Sequence, residues 1–362
     1  MATPLFYQNP LAQMGFVGYV QFDLPGITGI TDVTVPDPNA QAGRYKRQAR
    51  VTSCSLQLKQ DADRLNQAKS PAFPYSSPYF DRMLYTMKPE TIDGDIEYPL
   101  IAYDATIPAL NFENFDPTPD LWNMAVRRNY QERLNSFDTL VKYSNFDKAF
   151  RYKDCLVNDF TFSVRERDVI KVKVNLWAKS RSQVAYYEDV DSTRHVPVMS
   201  RILTWADAIM SIYGQFGIID GRYIRTFEAK VNNNLERFFT AGASVLQVRD
   251  IMPKLRNIEG SMTLWGRHPP LAQYSRDNPT HCTEEAMIDF GYYARCTKCI
   301  GTENPTCVHG SSQVVMKAYN VVFLIEELNL TNDLFETVVK WYSLPADKDL
   351  TISFNRIPVS VS

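Results

Sequence analysis

Histidine and cysteine are scarce in this chain of 362 residues, with four of the first and six of the second. The histidines (His195, His268, His281 and His309) leave general acid and base chemistry little to work with. Six cysteines are too few to staple a secreted scaffold of this length, so the thiols are expected to be reduced when the chain folds. A basic excess is also missing: Lys and Arg total 39 against 41 for Asp and Glu, which excludes a tight electrostatic grip on nucleic acid. No apolar run approaches the ~20 residues needed to cross a bilayer, and no basic segment leads into a short apolar one at the N-terminus. The expectation is a protein with no membrane association that folds in the cytoplasm of the cell making it. Phosphate-binding G-x-x-x-x-G-K-[ST], dinucleotide-binding G-x-G-x-x-G, H-E-x-x-H and G-x-S-x-G patterns do not occur. Adjacent carboxylates such as Glu284-Glu285 and Glu326-Glu327 read as solvated surface. With no nucleophile beside a base, no enzymatic activity is expected.

What is present is ordinary for a folded protein, with 44% hydrophobic and 22% charged residues. The length suits two lobes, each large enough to bury its own core. Aromatic residues make up 12%, and 20 Tyr with 21 Pro point to strands, irregular loops and contact surfaces. Asp23, Asp32 and Asp37 precede the first basic residue, Arg44, so the N-terminal arm is acidic.

Alternation with a period of two is the strongest local signal. Phe160, Phe162 and Val164 alternate with Thr161 and Ser163; after Arg165-Glu166-Arg167-Asp168, Ile170, Val172, Val174 and Leu176 alternate with Lys171, Lys173 and Asn175. Such a segment forms a β-hairpin with all its apolar side chains on one face. Lys171 and Lys173 on the polar face suit protection of a sheet edge or pairing with acids of a neighbouring subunit better than phosphate binding. Weaker alternation recurs around Cys54 to Leu58, Phe227 to Val231, Ile258 to Leu264 and Ile352 to Phe354, while Val314 to Ile325 is more continuously apolar. Helical spacing is read at Trp205 to Tyr213, from about Leu121 to Tyr143 after Asp116-Pro117-Thr118-Pro119-Asp120, and from Thr331 to about Pro345. The class is therefore mainly β with flanking helices.

Gly43-Arg44-Tyr45-Lys46-Arg47 and Gly221-Arg222-Tyr223-Ile224-Arg225 each lead into a strand, then a polar stretch with Arg64 or Arg237, then another β segment. This order suggests a tandem duplication, with modules at 1–200 and 201–362 and a polar linker over Ser180 to Ser200. Between Ser70 and Pro119 lies a Pro- and Tyr-rich stretch, read as an extended loop or arm that serves as contact surface in an assembly.

Cys296-x-x-Cys299, followed by Cys307 and His309, has spacing compatible with one tetrahedral structural zinc ion, with Cys282 as reserve ligand beside His281. Three readings stay open for the cluster, which lies in a loop over about 281–310: a structural zinc site, a disulfide formed after release of the assembled particle, or free thiols. No cofactor is otherwise required. A zinc ribbon gripping nucleic acid would need a basic face, and only Arg295 and Lys298 lie close by.

Cys155-Leu156-Val157-Asn158-Asp159-Phe160-Thr161-Phe162-Ser163-Val164, followed by Ile170 to Lys179, resembles the hairpin of phage tail tube proteins. Phe227 to Glu236, with Val231-Asn232-Asn233-Asn234-Leu235-Glu236, is similar to a second strand of that family, and Ile258-Glu259-Gly260-Ser261-Met262-Thr263-Leu264 to its partner strand. The Pro- and Tyr-rich stretch and the Cys cluster match nothing in the family pattern. The resemblance implies two tandem β-sandwich or barrel modules, assembled as trimeric or hexameric rings with an inner intersubunit β-barrel. Rings would stack into a virion tail tube, with the hairpin carrying Phe160, Phe162, Val164, Ile170, Val172, Val174 and Leu176 in the intersubunit sheet. The implied partners are further copies of the chain, the tape measure, terminator and distal tail or baseplate proteins, and viral DNA that passes weakly bound through an acidic lumen during ejection. Alternatives are a tail terminator or baseplate ring on the same module, or the zinc-ribbon nucleic-acid binder.

Overall fold

The structure is a computed structural model. It describes residues 17–25, 44–49, 51–59, 62–65, 84–87, 90–102, 117–126, 133–143, 148–185, 201–214, 217–239, 248–266, 268, 270, 271, 273, 287–293, 313–319, 321–331, 334–343 and 352–357. In chain order, β1 (Val17–Pro25), β2 (Arg44–Ala49), β3 (Ser53–Cys54), β4 (Gln57–Lys59), β5 (Ala62–Leu65), β6 (Leu84–Met87), β7 (Thr91–Pro99) and β8 (Ile101–Ala102) precede the helix α1 (Thr118–Val126). Then come β9 (Phe137–Tyr143), β10 (Lys148–Arg165), β11 (Lys171–Ala178), β12 (Ser180–Ala185), β13 (Arg201–Ile202), β14 (Ala208–Gly214), β15 (Gly217–Asp220) and β16 (Ile224–Asn232). The last strands are β17 (Glu236–Phe239), β18 (Val248–Met252), β19 (Asn257–Trp265), β20 (Met287–Tyr293), β21 (Gln313–Tyr319), β22 (Val321–Thr331), β23 (Leu334–Ser343) and β24 (Ile352–Ile357).

Thirteen strands join in one antiparallel sheet that does not close into a barrel. Its organiser is β10, 18 residues long. The first part of β10 pairs with β9 and β12, and the second part with β11 and β16. Between the two parts, Asp154 adopts a positive φ of 52° and the register with β9 shifts between Tyr152 and Cys155. An irregularity of this kind bends a long strand, so that one strand serves two differently directed parts of a sheet. The central part runs β7, β11, β10, β16, β19, β23, β22, with β3 and β4 flanking β7. It therefore crosses residue 200 without a break, through the pairing of β10 with β16. Smaller sheets are β15-β14-β20-β21-β24, β17-β18, β13-β8 and β5-β6.

Alternation sorts the side chains of the central strands. Phe160, Phe162 and Val164, then Val172, Val174 and Leu176, then Phe227, Ala229 and Val231, then Met262 and Leu264 are buried in one core, each contributing roughly 1.5–3 kcal/mol when a large side chain is fully covered. Met210, Ile212 and Ile219 join that core from the smaller sheet, and Leu121, Trp122, Met124 and Ala125 from α1. Trp122 meets Phe160 edge to face at 5.2 Å, and Phe227 stacks on Trp341 at 6.0 Å and 8°. Gly260, opposite Ala229, leaves the space that the Trp341 ring occupies; a Cβ there would collide with the ring and with the Glu228 carbonyl.

Helix α1 starts at a Pro-Thr-Pro-Asp segment suited to a first turn, where the Leu121 amide donates to the Pro117 carbonyl. At its far end the Ala125 carbonyl accepts from Asn233 Nδ2 at 2.9 Å and the Val126 carbonyl accepts from Arg256. Asn233 after β16 and Arg256 before β19 thus satisfy groups that a helix end leaves open.

The mainly β class holds, and three helical expectations are corrected. Of the described residues in the 121–143 segment, 121–126 belong to α1 and Phe137–Tyr143 is a strand, while 127–132 lie outside the described residues. Trp205–Asp207 forms a short 3₁₀ turn that feeds β14, and 334–343 is β23. In β23, Thr337, Val339 and Trp341 are buried while Glu336, Val338, Lys340 and Tyr342 are half-buried, a period of two built from β-branched and aromatic residues that pack well on a pleated surface. The Pro- and Tyr-rich stretch also contains β7, flanked by β11 on one side and by β3 and β4 on the other, although it was expected to be loop. Ser180–Ala185 of the expected linker is β12; 186–200 lie outside the described residues.

Candidate functional site

The second face of the central sheet presents polar side chains strand after strand. Asp93, Asp95 and Glu97 come from β7; Lys171, Lys173 and Asn175 from β11; Asp159, Thr161, Ser163 and Arg165 from β10. Across the next pairings follow Thr226, Glu228, Lys230 and Asn232 of β16, Glu259, Ser261 and Thr263 of β19, and Glu336 and Lys340 of β23. Carboxylates outnumber cations on this face, and all of these side chains are half-buried or exposed.

Several charges on the face are matched within the chain, among them Asp93, Asp95, Lys171, Lys173 and Glu336. Lys173 Nζ lies 2.9 Å from Asp95 Oδ2, while Asn175 Nδ2 donates to Asp95 Oδ1 at 2.8 Å. Burial pulls the Asp95 carboxyl upward, but the hydrogen bonds from Asn175 and Lys173 and the charges of Lys173 and Lys59 together hold it below the usual carboxylate value. The Asp95 hydrogen bond keeps Lys173 firmly an ammonium, against the opposing pull of desolvation. Asp159 goes the other way: burial raises its carboxyl, and the charge of Lys230 and the hydrogen bond from Asn158 offset this only in part. Its Oδ1 is buried with no hydrogen-bond partner, while Oδ2 accepts from Asn158 at 2.8 Å.

Two Arg-centred contacts frame the face. At the hairpin-turn end, Arg225 pairs with Glu166 at 3.0 Å and with Glu336, and its guanidinium lies over the Trp265 ring at 4.9 Å. At the opposite end Arg237, on β17, stacks over Trp177 at 3.8 Å and donates to Asp93 at 2.7 Å. A planar cation that stacks and pairs at once suits Arg and not Lys. Beside the hairpin turn a cleft of about 390 Å³ opens between β16 and β14, lined by Val164, Trp205, Met210, Ile224 and Phe227 with Asp220 and Arg222.

The seven hairpin residues singled out from the sequence are all brought together, facing the chain's own core. Both hairpin edges are taken internally, β11 by β7 and β10 by β16, so open edges lie elsewhere in the sheet. Lys171 and Lys173, expected to guard an edge or to meet a neighbouring subunit, pair with Asp168 and Asp95 of the same chain. Cys282, Cys296, Cys299, Cys307 and His309 lie outside the described residues. Among the described residues no three His, Cys, Asp or Glu side chains are grouped to hold a metal ion, and no helix is long and apolar enough to cross a membrane. Cys155 is fully buried, which pushes its thiol up to about 12, so it is no nucleophile at neutral pH. The matched face was latent in the same alternation that revealed the core; the Arg237 contact, spanning 144 residues to Asp93, had no local signal.

No model of a known protein family matches the sequence, and no curated protein matches it significantly.

Proposed function

We propose that the chain is a structural virion protein that assembles as rings stacked into the tail tube of a tailed bacteriophage, with genome ejection through its channel. The observation carrying this reading is the central antiparallel sheet, with one face buried and apolar apart from Thr337 and one face of mainly polar side chains in which carboxylates outnumber cations. A wall of this kind passes a polyanion without holding it, because its acidic excess repels and Lys171 and Lys173 already pair with Asp168 and Asp95. The sheet is open, and among the described residues β22 pairs only with β23, leaving an edge that another copy can take. Ring closure is therefore assigned to the ends of this sheet, not to the β10–β11 hairpin. The order of the elements around 158–179, 227–235 and 258–264, which resembles the tube family, supports the same reading. The proposed partners are further copies, tape measure, terminator and distal tail or baseplate proteins, and transiting DNA; the proposed location is the virion tail.

Negative-stain microscopy of the purified, concentrated protein tests it. Annular particles or tubes with a central channel are expected. A protein that stays monomeric over the whole accessible concentration range overturns the reading.

A further inference from the structure

Between β16 and β19 the chain leaves the central sheet and comes back to it. Asn232, the last residue of β16, faces Asn257, the first of β19, so the excursion 233–256 starts and ends at one place. Its described parts, 233–239 and 248–256, include β17 and β18. The foot is fixed. Asn233 is fully buried; its amide donates to the Asn158 carbonyl at 2.8 Å and its side chain to the carbonyls of Ala125 and Val157 at 2.9 Å. On the returning side the Lys254 amide donates to the Asn233 carbonyl, and Arg256 donates to the Val126 carbonyl. Beyond the foot the attachment changes in kind. β17 and β18 pair only with each other, and among the described residues no backbone hydrogen bond joins 236–252 to any other strand.

Side chains alone hold the two strands down. Trp177 continues the row Lys171, Lys173 and Asn175 on the polar face, and Leu156 is its partner across the ladder. With Leu134 they form an apolar patch, which Leu235, Val248 and Ile251 cover in a small core separate from the main one. Three charged contacts surround it. Arg237 stacks on Trp177 at 3.8 Å and donates to Asp93 at 2.7 Å, and Asp250 lies 2.9 Å from Lys179 and 3.2 Å from Arg133. Burial pulls the Asp250 carboxyl upward, but hydrogen bonds from Lys179 and the Ile251 amide, with the charges of Lys179 and Arg133, hold it below the usual carboxylate value. Phe238 and Phe239 are exposed even with the hairpin docked, so Leu235, Val248 and Ile251 are the buried apolar side chains of the excursion that lifting it would uncover.

We propose that β17 and β18 form a hinged flap, which opens and closes as a unit over this patch while the central sheet stays folded. The hinge lies at Asn234, whose φ of 47° is in the left-handed region that Asn adopts more readily than most residues, and at Leu255, whose carbonyl accepts from Asn234 Nδ2 at 2.7 Å. Opening breaks the side-chain contacts and the bond from the Leu235 amide to Asn158 Oδ1. The ladders among β10, β16 and β19 remain whole. Few buried apolar contacts are lost, whereas separating β10 from β11 and β16 would uncover Phe160, Phe162, Val172, Val174 and Leu176; local opening therefore lies well below global unfolding in free energy. With the flap down, Trp177, Leu134 and Leu156 are covered. With it up, an apolar patch stands at the end of an otherwise polar face. The device belongs to the single chain and does not depend on the tube reading.

Hydrogen exchange of the full chain, read by mass spectrometry at neutral pH, tests the flap. Amides of β17 and β18 should exchange together, about a hundredfold faster than those of β10 and β11 over 159–165 and 171–178, yet slower than in an unfolded chain. Asp250→Asn removes the acid shared by Lys179 and Arg133 and should speed the hairpin amides by about tenfold. Gly260→Ala, which sets a methyl group against the Trp341 ring, weakens the sheet equally with the flap up or down. It should speed the central-strand amides by about fivefold or more and leave the hairpin amides unchanged. In wild type, low urea should likewise speed the central strands and barely affect the hairpin, because opening exposes little surface. Hairpin amides as protected as the central strands, or exchanging at the unfolded rate, overturn the proposal. So does an Asp250→Asn hairpin that exchanges as in wild type, or a hairpin that follows the central strands in Gly260→Ala and in urea, since it then opens only when the whole chain does.

Discussion

Along β11, Val172, Val174 and Leu176 are fully buried on one side of the sheet, while Lys171, Lys173 and Asn175 on the other remain in contact with water. The first row is held by packing with β10, β16 and α1, where each atom has neighbours on every side. The second is held by pairs such as Lys173 with Asp95, in which a gain in Coulomb energy is set against desolvation and screening. The same strand thus offers two sensitivities one residue apart. Val172→Asp should separate them most widely, since it puts an unpaired carboxylate opposite Phe162, at about 4 kcal/mol or more, enough to unfold the chain. Lys173→Ala, the adjacent residue on the other face, should change stability by no more than about 0.5 kcal/mol. Urea midpoints of the two variants check this, and a soluble, cooperatively folding Val172→Asp protein would break the distinction between the faces.

Gly260→Ala probes the apolar face by addition. The new methyl group meets the Trp341 ring and the backbone carbonyl of Glu228, and the backbone on both flanks is tied by pairing with β16 and β23. Overpacking at such a point costs about 1–3 kcal/mol. The matching change on the polar face, Ser261→Ala, should cost well under 1 kcal/mol. Thermal melts of both variants measure the difference.

The β10–β11 hairpin was legible in the sequence because its alternation is strict and its turn is polar. The strands β14 and β23 were not, because Trp205, Ile209, Met210 and Tyr213, or Leu334, Phe335, Val338, Trp341 and Tyr342, also satisfy helical spacing when a strand carries apolar residues on both faces. Their β-branched and aromatic content was the signal that spacing hid. The polar face was partly legible, as Lys171, Lys173 and Asn175, but its partners were not. Asp95 sits in a stretch whose prolines argued for a loop, although those prolines lie at or beyond the ends of β7 and leave its ladder intact. The pairing of β10 with β16 joins residues on both sides of 200, and no local pattern announces a contact of that separation.

Arg237→Ala tests the link between those distant segments. It removes a stacking partner of Trp177 and a donor to Asp93, with the Arg side chain only 14% exposed, so a loss of about 1–3 kcal/mol is expected. Arg237→Lys keeps the charge and loses the plane. If Lys restores most of the melting temperature, charge matters more than stacking at this end of the polar face; the geometry favours an incomplete rescue.

Asp159 and Asp95 give the smallest effects, and their signs are opposite. Asp159 has a folded-state value raised above 3.8, so ionisation costs stability above the folded value. That cost is relieved as pH falls through the folded value and is gone below 3.8. Asp159→Asn should therefore be slightly more stable than wild type at pH 7, by about 0.5 kcal/mol at most, with the advantage vanishing in acid. Asp95 has a lowered value, so its contribution is present above 3.8 and is lost as pH falls through the still lower folded value. Asp95→Asn should be less stable than wild type at neutral pH and converge with it in acid. Melting temperatures of the three proteins from pH 7 down to about pH 3 would show Asp159→Asn above wild type and Asp95→Asn below it, with the curves closing together in acid. Both variants falling on the same side of wild type at neutral pH would mean that the polar face does not hold its two central carboxylates in opposite electrostatic environments.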